Sequence, residues 1–379
     1  MLSATRIFHA DTAAVTVVSE TKEITDWALR YFGGWWNATT VHAPVPDTGS
    51  MTTDGALLLA DVDSKRLADI ETLVGDYDHD EVDYANARTL VARHEDGAIY
   101  AIQPAERLAY HYEPAGGRLV VVGAHAETVA VAASRLAREL VRGQLLRAGF
   151  HILHASCVVR DGRAVLTFGP KGAGKTTTAL LLAREGYELL ANDRVFIRPE
   201  PEGLRILPWP AAAAIGFGLL ESMGLYERLR ARVLDGEQMH PTQDQRVTDA
   251  LHAGSTTPIW NIKGKELKAQ LFPDQLSSLL NTAFATHAHA AALLHPQVDK
   301  EAEPHLADMP CALTEEDFFT RRTEDRYPDI FRLAPTEAAP VTDLTDRLAQ
   351  LPRRSLVLNH NSRTSADFLA KTATGLLSE

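Results

Sequence analysis

Apolar residues in the first third of the chain fall in short runs rather than long stripes. Ala14-Val15-Thr16-Val17-Val18, Ala56-Leu57-Leu58-Leu59, Thr89-Leu90-Val91-Ala92-Arg93, Ala98-Ile99-Tyr100-Ala101-Ile102, Leu108-Ala109-Tyr110-His111-Tyr112 and Leu119-Val120-Val121-Val122 are each of strand length and β-rich. Glu95-Asp96-Gly97 and Pro114-Ala115-Gly116-Gly117 separate neighbouring runs as turns. Residues 1–123 are therefore expected to form a small, mostly antiparallel β-rich domain. Its Trp27, Trp35 and Trp36 are expected in a core or interface rather than as ligand platforms. From Glu127 to Gly149 the period changes. Val131, Leu136, Leu140, Leu145 and Leu146 recur at helical spacing, so 124–150 is expected to be a helix joining two domains.

The remaining chain, 151–379, reads as an α/β domain. A strand His151–Arg160, a turn at Asp161-Gly162 and a strand Arg163–Phe168 form a hairpin. It feeds a glycine-rich loop, a helix stopped by Gly186, and a strand Tyr187–Leu190. Beyond about Ala211 the signal thins. Gly254 to Gly264 reads as loop plus strand. His287 to Glu303 places several histidines among alanines on buried helical or strand faces, without an H-E-x-x-H pattern. Arg353–Leu358 reads as a last strand and Ser365–Leu377 as a terminal helix.

Composition narrows the function classes. The 379 residues suggest two or three domains, and 45% hydrophobic with 23% charged residues is a globular balance. The formal net charge of −12 argues against sequence-independent binding to nucleic acid or anionic membrane, which relies on basic surface. Two cysteines, Cys157 and Cys311, imply neither a disulfide framework nor a Cys/His metal site. No signal peptide and no run of about 18 apolar residues is visible, so the cytoplasm is the expected compartment.

Gly169-Pro170-Lys171-Gly172-Ala173-Gly174-Lys175-Thr176 fits G-x-x-x-x-G-K-[ST], the phosphate-cradling P-loop. The glycines let backbone N–H groups curl inward where a Cβ would block the phosphates. Lys175 supplies a mobile cation for the β- and γ-phosphates, and Thr176 a hydroxyl for Mg²⁺. Thr177 opens the following helix and is expected to serve mainly as structure. ATP and Mg²⁺ are therefore the expected cofactors. The loop alone does not separate kinase, GTPase, motor and transporter; the second acid does. Asn192-Asp193 ends the strand after the P-loop helix, only 18 residues beyond Lys175. Asp193 there is placed to hold Mg²⁺ with Thr176, the other reading being a solvated turn acid. Neither an Asn-Lys-x-Asp guanine signature nor a Leu-Ser-Gly-Gly-Gln transporter signature occurs.

His154-Ala155-Ser156, the strand–turn–strand, Gly169–Thr176 and Gly186-Tyr187-Glu188-Leu189-Leu190-Ala191-Asn192-Asp193-Arg194-Val195 follow one another in order. In that order they resemble the catalytic domain of HPr kinase/phosphorylase and its relatives. There, a histidine precedes the hairpin and Gly-x-x-Leu-x-x-Asp-Asp-x-Val follows the P-loop helix. The overall plan is most similar to HPr-kinase-related proteins of biosynthetic gene clusters, which include kinases of peptide side chains and small metabolites. The resemblance implies a core related to that of phosphoenolpyruvate carboxykinase. It covers about 45 residues, His154 to Ile197.

Two departures matter. The family's Asp-Asp is Asn192-Asp193, so any base role moves to Asp193 or elsewhere, and the reverse phosphorolysis is disfavoured. Where true HPr kinases carry a Glu-containing Arg-Gly signature, Leu207-Pro208-Trp209-Pro210-Ala211-Ala212-Ala213-Ala214-Ile215-Gly216 stands, so HPr is not the expected substrate. The small residues leave room for another acceptor. His154 has two readings, a partner of Asp193 or the attacking hydroxyl, and a satisfied core histidine. Arg194 is a phosphate contact or a salt-bridge residue. Lys268 lies in a Lys-x-x-Leu-x-Pro context like that of a basic residue in related kinases, where it would neutralise the transferring group; a surface lysine is the alternative, and Lys263 and Lys265 compete for the role. The expected activity is transfer of the γ-phosphoryl of ATP to a hydroxyl, less readily a guanidino group, of a peptide, protein or small metabolite. A regulatory NTPase and a carboxykinase-like reaction are the alternatives. Homo-oligomerisation stays open.

Overall fold

The computed structural model describes residues 3–8, 13–41, 55–309, 312–319, 328–336 and 340–378; Cys311 lies outside them. The chain is α/β and divides into two units, Met1–Phe150 with Phe319–Ala339, and His151–Phe318 with Pro340–Glu379.

The first unit runs β1 (Ser3–Phe8), β2 (Ala14–Ser19), α1 (Lys22–Trp36), β3 (Thr39–Val41), β4 (Ala56–Val62), α2 (Ser64–Asp76), β5 (His79–Tyr84), β6 (Ala87–Arg93), β7 (Ile99–Gln103), β8 (Leu108–Glu113), β9 (Arg118–Gly123) and α3 (Ala126–Arg147). The strands form one sheet in the order β3-β1-β2-β4-β9-β8-β7-β6-β5. Strand β4 runs parallel to β2 and β9, and the other neighbours are antiparallel. The six apolar runs of the sequence lie in β2, β4, β6, β7, β8 and β9. Asp96 accepts from the backbone N of Ala98 at 2.9 Å, which tightens the turn into β7.

Helices α1 and α2 have no counterpart in the sequence reading. Gly33, Gly34 and five aromatic residues are poor helix formers, yet Ile24, Ala28, Phe32, Trp35 and Trp36 fall on one stripe and are buried. Asp63 caps α2 by accepting from Lys65 and Arg66. Helix α3, expected to join two domains, is a layer of this unit, packed on α1, β2, β4 and β9. The Gln144 amide accepts from Ala14 N and donates to Ala14 O, both at 3.0 Å. Residues 328–336 also return here, away from the unbroken 151–379 segment of the sequence reading. Phe331 anchors them, its ring 6.3 Å from Tyr84 and 5.9 Å from Tyr110.

The second unit runs β10 (His151–Leu153), β11 (Ser156–Arg160), β12 (Arg163–Thr167), α4 (Lys175–Arg184), β13 (Glu188–Ala191), β14 (Val195–Glu200), β15 (Gly203–Pro208), β16 (Ala213–Ile215), α5 (Phe217–Ser222), α6 (Tyr226–Leu234) and α7 (Gln245–Ala253). It continues with β17 (Ile259–Trp260), β18 (Glu266–Leu267), β19 (Ala269–Leu271), α8 (Pro273–Leu280), β20 (Ala288–Val298), β21 (His305–Ala307), α9 (Thr342–Gln350), β22 (Arg353–Leu358) and α10 (Ser362–Ser378). The main sheet has the order β10-β14-β15-β20-β12-β11-β13, with β22 on β20 and β21 on β22. Strand β20 is parallel to both β12 and β22. Asp161 and Gly162 both have positive φ, the backbone of the tight turn that an Asp-Gly pair favours between β11 and β12. Cys157, Val159, Leu166, Phe168, Leu190, Val195, Ile197 and Leu293 form the core of this unit.

The stretch His151–Arg160, read as one strand, is two. Leu153 pairs with Val195, whereas Cys157 pairs with Ala191. Partner exchange at His154-Ala155 breaks the strand. His154-Ala155-Ser156 then faces Asn192-Asp193-Arg194 across a gap in the pairing. Among the described residues, no helix is long and apolar enough to cross a membrane.

Candidate active site

Strand β12 delivers the chain to the loop, and Phe168 N donates to Leu294 O at 2.9 Å, extending the ladder with β20. Gly169, Gly172 and Gly174 all have positive φ, at 136°, 89° and 99°. Gly174 is the N-cap of α4, and a Cβ there would lie 2.9 Å from Val298 Cγ2. Glycine is required by both backbone and space. Ala173 N donates to Pro170 O and Thr178 N to Gly174 O, so the loop closes on itself before the helix begins. The N–H groups of the first helical turn have no intrahelical acceptor, and with the helix dipole they favour an anion at this end. Pro170, Lys171 and Gly172 are exposed at the loop tip, and Ala173 is buried beneath it.

Lys175 folds back over the loop, its Nζ donating to Gly169 O at 2.5 Å and Pro170 O at 3.3 Å. Burial lowers its pKa, while the charges of Asp193 and Asp317 push it back up. Two hydroxyls tie the start of α4 to the gap in the sheet. Ser156 Oγ donates to Lys175 O at 2.8 Å, and Thr176 Oγ1 to Asn192 O at 3.4 Å. Through them the start of α4, the His154–Ser156 segment and the Asn192–Arg194 turn share one locality. Thr177 sits half-buried on the helix.

Asp193 is open to solvent at 52% side-chain exposure, with Arg194 Nε 3.7 Å from its Oδ2. The Arg194 guanidinium also lies over the Trp209 ring, 5.7 Å from the centroid. Asn192 is 5% exposed, and its Oδ1 is buried without a hydrogen-bond partner. An orphaned buried acceptor costs stability. Burial lowers the pKa of His154; the cations Arg194 and Lys175 lower it further, and Asp193 and Asp317 oppose them. The neutral imidazole is thereby favoured.

Lys268 lies elsewhere in its contacts. It stands between β18 and β19 with its Nζ 3.9 Å from Glu266 Oε2, and α8 begins just after it at Pro273. Lys263 and Lys265 occupy the β17–β18 turn, their backbone N–H groups held by Asn261 Oδ1. In the small-residue segment, Trp209 is buried beside Phe196, and Ala213–Ile215 pairs with β19, so part of that segment is packed.

Oxygen donors of this kind suit a hard cation such as Mg²⁺. No group of three or more His, Cys, Asp or Glu residues that could cage a metal occurs among the described residues. The Thr176 hydroxyl and the half-exposed Asp193 carboxylate are single oxygen donors on neighbouring segments.

No family model matches the chain, and no curated protein matches it. Among solved structures it is similar to the Hpr(Ser) kinase/phosphatase from Coxiella burnetii, with 13% identity, 59% of this chain and 96% of that chain covered, and a TM-score of 0.27. A match at that identity and TM-score is too loose to place the chain in a family.

Two residues absent from the sequence-derived site lie in the same locality. Asp317 is buried, and its carbonyl accepts from His154 N at 2.8 Å. His295, on β20, stacks on Phe168 at 5.9 Å, its Nε2 buried without a partner. Burial lowers its pKa from the ordinary 6.5, with Asp317 opposing and Arg353 assisting. A histidine whose folded-state pKa is depressed leaves stability intact above the unfolded pKa, and that stability is lost as pH falls through the folded value. His295→Leu is therefore expected to narrow the gap in unfolding free energy between pH 7.5 and pH 5. At pH 7.5 it should change stability by no more than about 1.5 kcal/mol, as a similar-sized apolar swap. Urea titrations of both proteins at the two pH values check this; parallel losses would show that His295 does not contribute to acid sensitivity.

Proposed function

We propose that this chain is an ATP-dependent phosphotransferase that moves the γ-phosphoryl group, with Mg²⁺, to a hydroxyl of a peptide, protein or small metabolite. The observation that carries the reading is the convergence of three segments. The Gly169–Thr176 loop, the Asn192–Arg194 turn and the His154–Ser156 strand break are tied by the Ser156 and Thr176 hydrogen bonds. Loop N–H groups and Lys175 would hold the β- and γ-phosphates. Thr176 and Asp193 would hold Mg²⁺, which when bound neutralises charge on the phosphates. The acceptor oxygen bonds to the γ-phosphorus as the bond to the bridging oxygen breaks, ADP leaves, and the hydroxyl proton passes to Asp193. A half-exposed Asp193 leaves room for an acceptor beside it. Arg194 and the neutral His154 would orient the reacting groups. No described contact brings Lys268 to this locality, and a role for it would require the acceptor to bridge to β18 and β19. The reading assigns no nucleic-acid or membrane partner and places the activity in the cytoplasm.

Incubation with labelled ATP, Mg²⁺ and a panel of hydroxyl-bearing peptides and metabolites, read by mass spectrometry, tests the reading. The expected result is a gain of one phosphoryl group on an acceptor. Label found in inorganic phosphate alone, across the panel, would leave a nucleotide-hydrolysing regulator instead.

A further inference from the structure

Strands β17 and β18 pair only with each other among the described residues, Ile259 with Leu267 and Trp260 with Glu266. Their tip, Asn261-Ile262-Lys263-Gly264-Lys265, is ordered by its own hydrogen bonds. Asn261 N donates to Lys265 O at 2.9 Å and Gly264 N to Asn261 O at 3.0 Å. Asn261 Oδ1 accepts from the backbone N–H groups of Lys263 and Lys265, both at 2.9 Å. Gly264 takes the positive φ, 66°, that closes the turn. Order is thus achieved without covering the apolar side chains. Trp260 is 60% exposed and Ile262 fully exposed, and Lys263 and Lys265 are exposed beside them, whereas Trp35, Trp36 and Trp209 are buried. Single exposed apolar residues are ordinary, but a tryptophan and an isoleucine on one ordered hairpin make a patch, and such patches mark contact surfaces. The base of the hairpin leads to the candidate active site. A Cβ on Gly216 would lie 2.5 Å from Glu266 Oε1, so this carboxylate packs directly on the backbone that follows β16. Strand β16 pairs with β19, which follows β18. Upstream of β16 the chain passes through Trp209, whose ring lies under the Arg194 guanidinium. One short run, Trp209–Gly216, therefore joins the hairpin to Arg194.

We propose that the β17–β18 hairpin is the docking element for the acceptor, and that the acceptor is a polypeptide presenting an acidic, apolar segment to it. The inference rests on the phosphotransferase reading and narrows its acceptor from a peptide, protein or small metabolite to a polypeptide. Charge selects the kind of segment. The chain carries a formal net charge of −12, so its surface at large repels an acidic segment, whereas the two lysines of the tip offer a local cationic rim. A small metabolite could reach Asp193 without such a platform. A protruding Trp-Ile tip suits a flexible segment that wraps it, with apolar side chains covering Trp260 and Ile262 and carboxylates meeting Lys263 and Lys265.

The test titrates the full chain, by calorimetry and tryptophan emission, with two short peptides. Both alternate leucine and serine with a charged residue, glutamate in one and lysine in the other. The glutamate peptide is expected to bind, to move the emission to the blue as Trp260 is covered, and to weaken as salt rises; the lysine peptide should bind at least about tenfold more weakly. Trp260→Thr with Ile262→Ser should weaken the glutamate peptide at least about tenfold, as loss of an aromatic anchor does, and leave Mg-ATP affinity unchanged. Lys263→Glu with Lys265→Glu should reverse the preference between the peptides, which a merely structural hairpin would not do. Equal binding of both peptides, no binding of the glutamate peptide, or binding that survives loss of Trp260 and Ile262 overturns the proposal and leaves the phosphotransferase reading intact. A parent dimer that Trp260→Thr with Ile262→Ser splits also overturns it, because a second copy would then cover the hairpin. A parent chain that binds the glutamate peptide but no Mg-ATP overturns the phosphotransferase reading, and with it the assignment of the docked segment to an acceptor.

Discussion

Replacing Lys175 with alanine is expected to lower phosphoryl transfer at least about a hundredfold, the size of loss that follows removal of one preorganised charge from a transition state. In the structure the ammonium rests on two loop carbonyls, those of Gly169 and Pro170. From there a change of side-chain rotamer carries it to a phosphate bound at the start of α4. Loss of the side chain leaves the glycine backbone and the helix N-terminus intact, so ADP should still bind, with reduced affinity. Single-turnover transfer and ADP titration separate the two effects. Near-normal transfer by the Lys175→Ala chain would show that this loop does not hold the reacting phosphates.

The parts of the candidate site that are legible in the sequence are those encoded locally. Gly169, Gly172 and Gly174 specify the loop because each has a positive φ, and Asp161-Gly162 specifies the preceding turn for the same reason. Short apolar runs revealed most strands of the first unit because alternation needs no distant partner. Helix α1 stayed hidden because its glycines and aromatic residues score poorly as helix formers, while burial of Trp35 and Trp36 is a tertiary effect. The break at His154-Ala155 was equally invisible. Residues 151–160 form one near-continuous apolar run, and the exchange from β14 to β13 depends on pairing with segments further along the chain. Asp317 shows the limit most clearly. Its run of acids reads as a solvated surface, and only the bridge from Phe318 to Leu153 turns one of them inward. A Thr-x-x-Asp cap signature was there to be found at Thr314, but it signals a turn and not a site.

Asp193→Asn should separate binding from chemistry. The phosphate cradle and Lys175 are untouched by this change, so nucleotide affinity is expected to stay within about tenfold of the parent. Transfer should be nearly abolished, because the amide neither accepts a proton nor holds Mg²⁺ as a carboxylate does. Asn192→Ala provides the comparison one residue away. The Asn192 side chain is buried, but its Oδ1 makes no hydrogen bond, so truncation removes a costly orphan along with some packing. Its effect on transfer should be the milder of the two, and the backbone carbonyl that meets Thr176 Oγ1 remains. Steady-state transfer at saturating Mg-ATP ranks the variants. If Asn192→Ala proves the more damaging, the amide contacts the acceptor, and the proton must leave by a group other than Asp193.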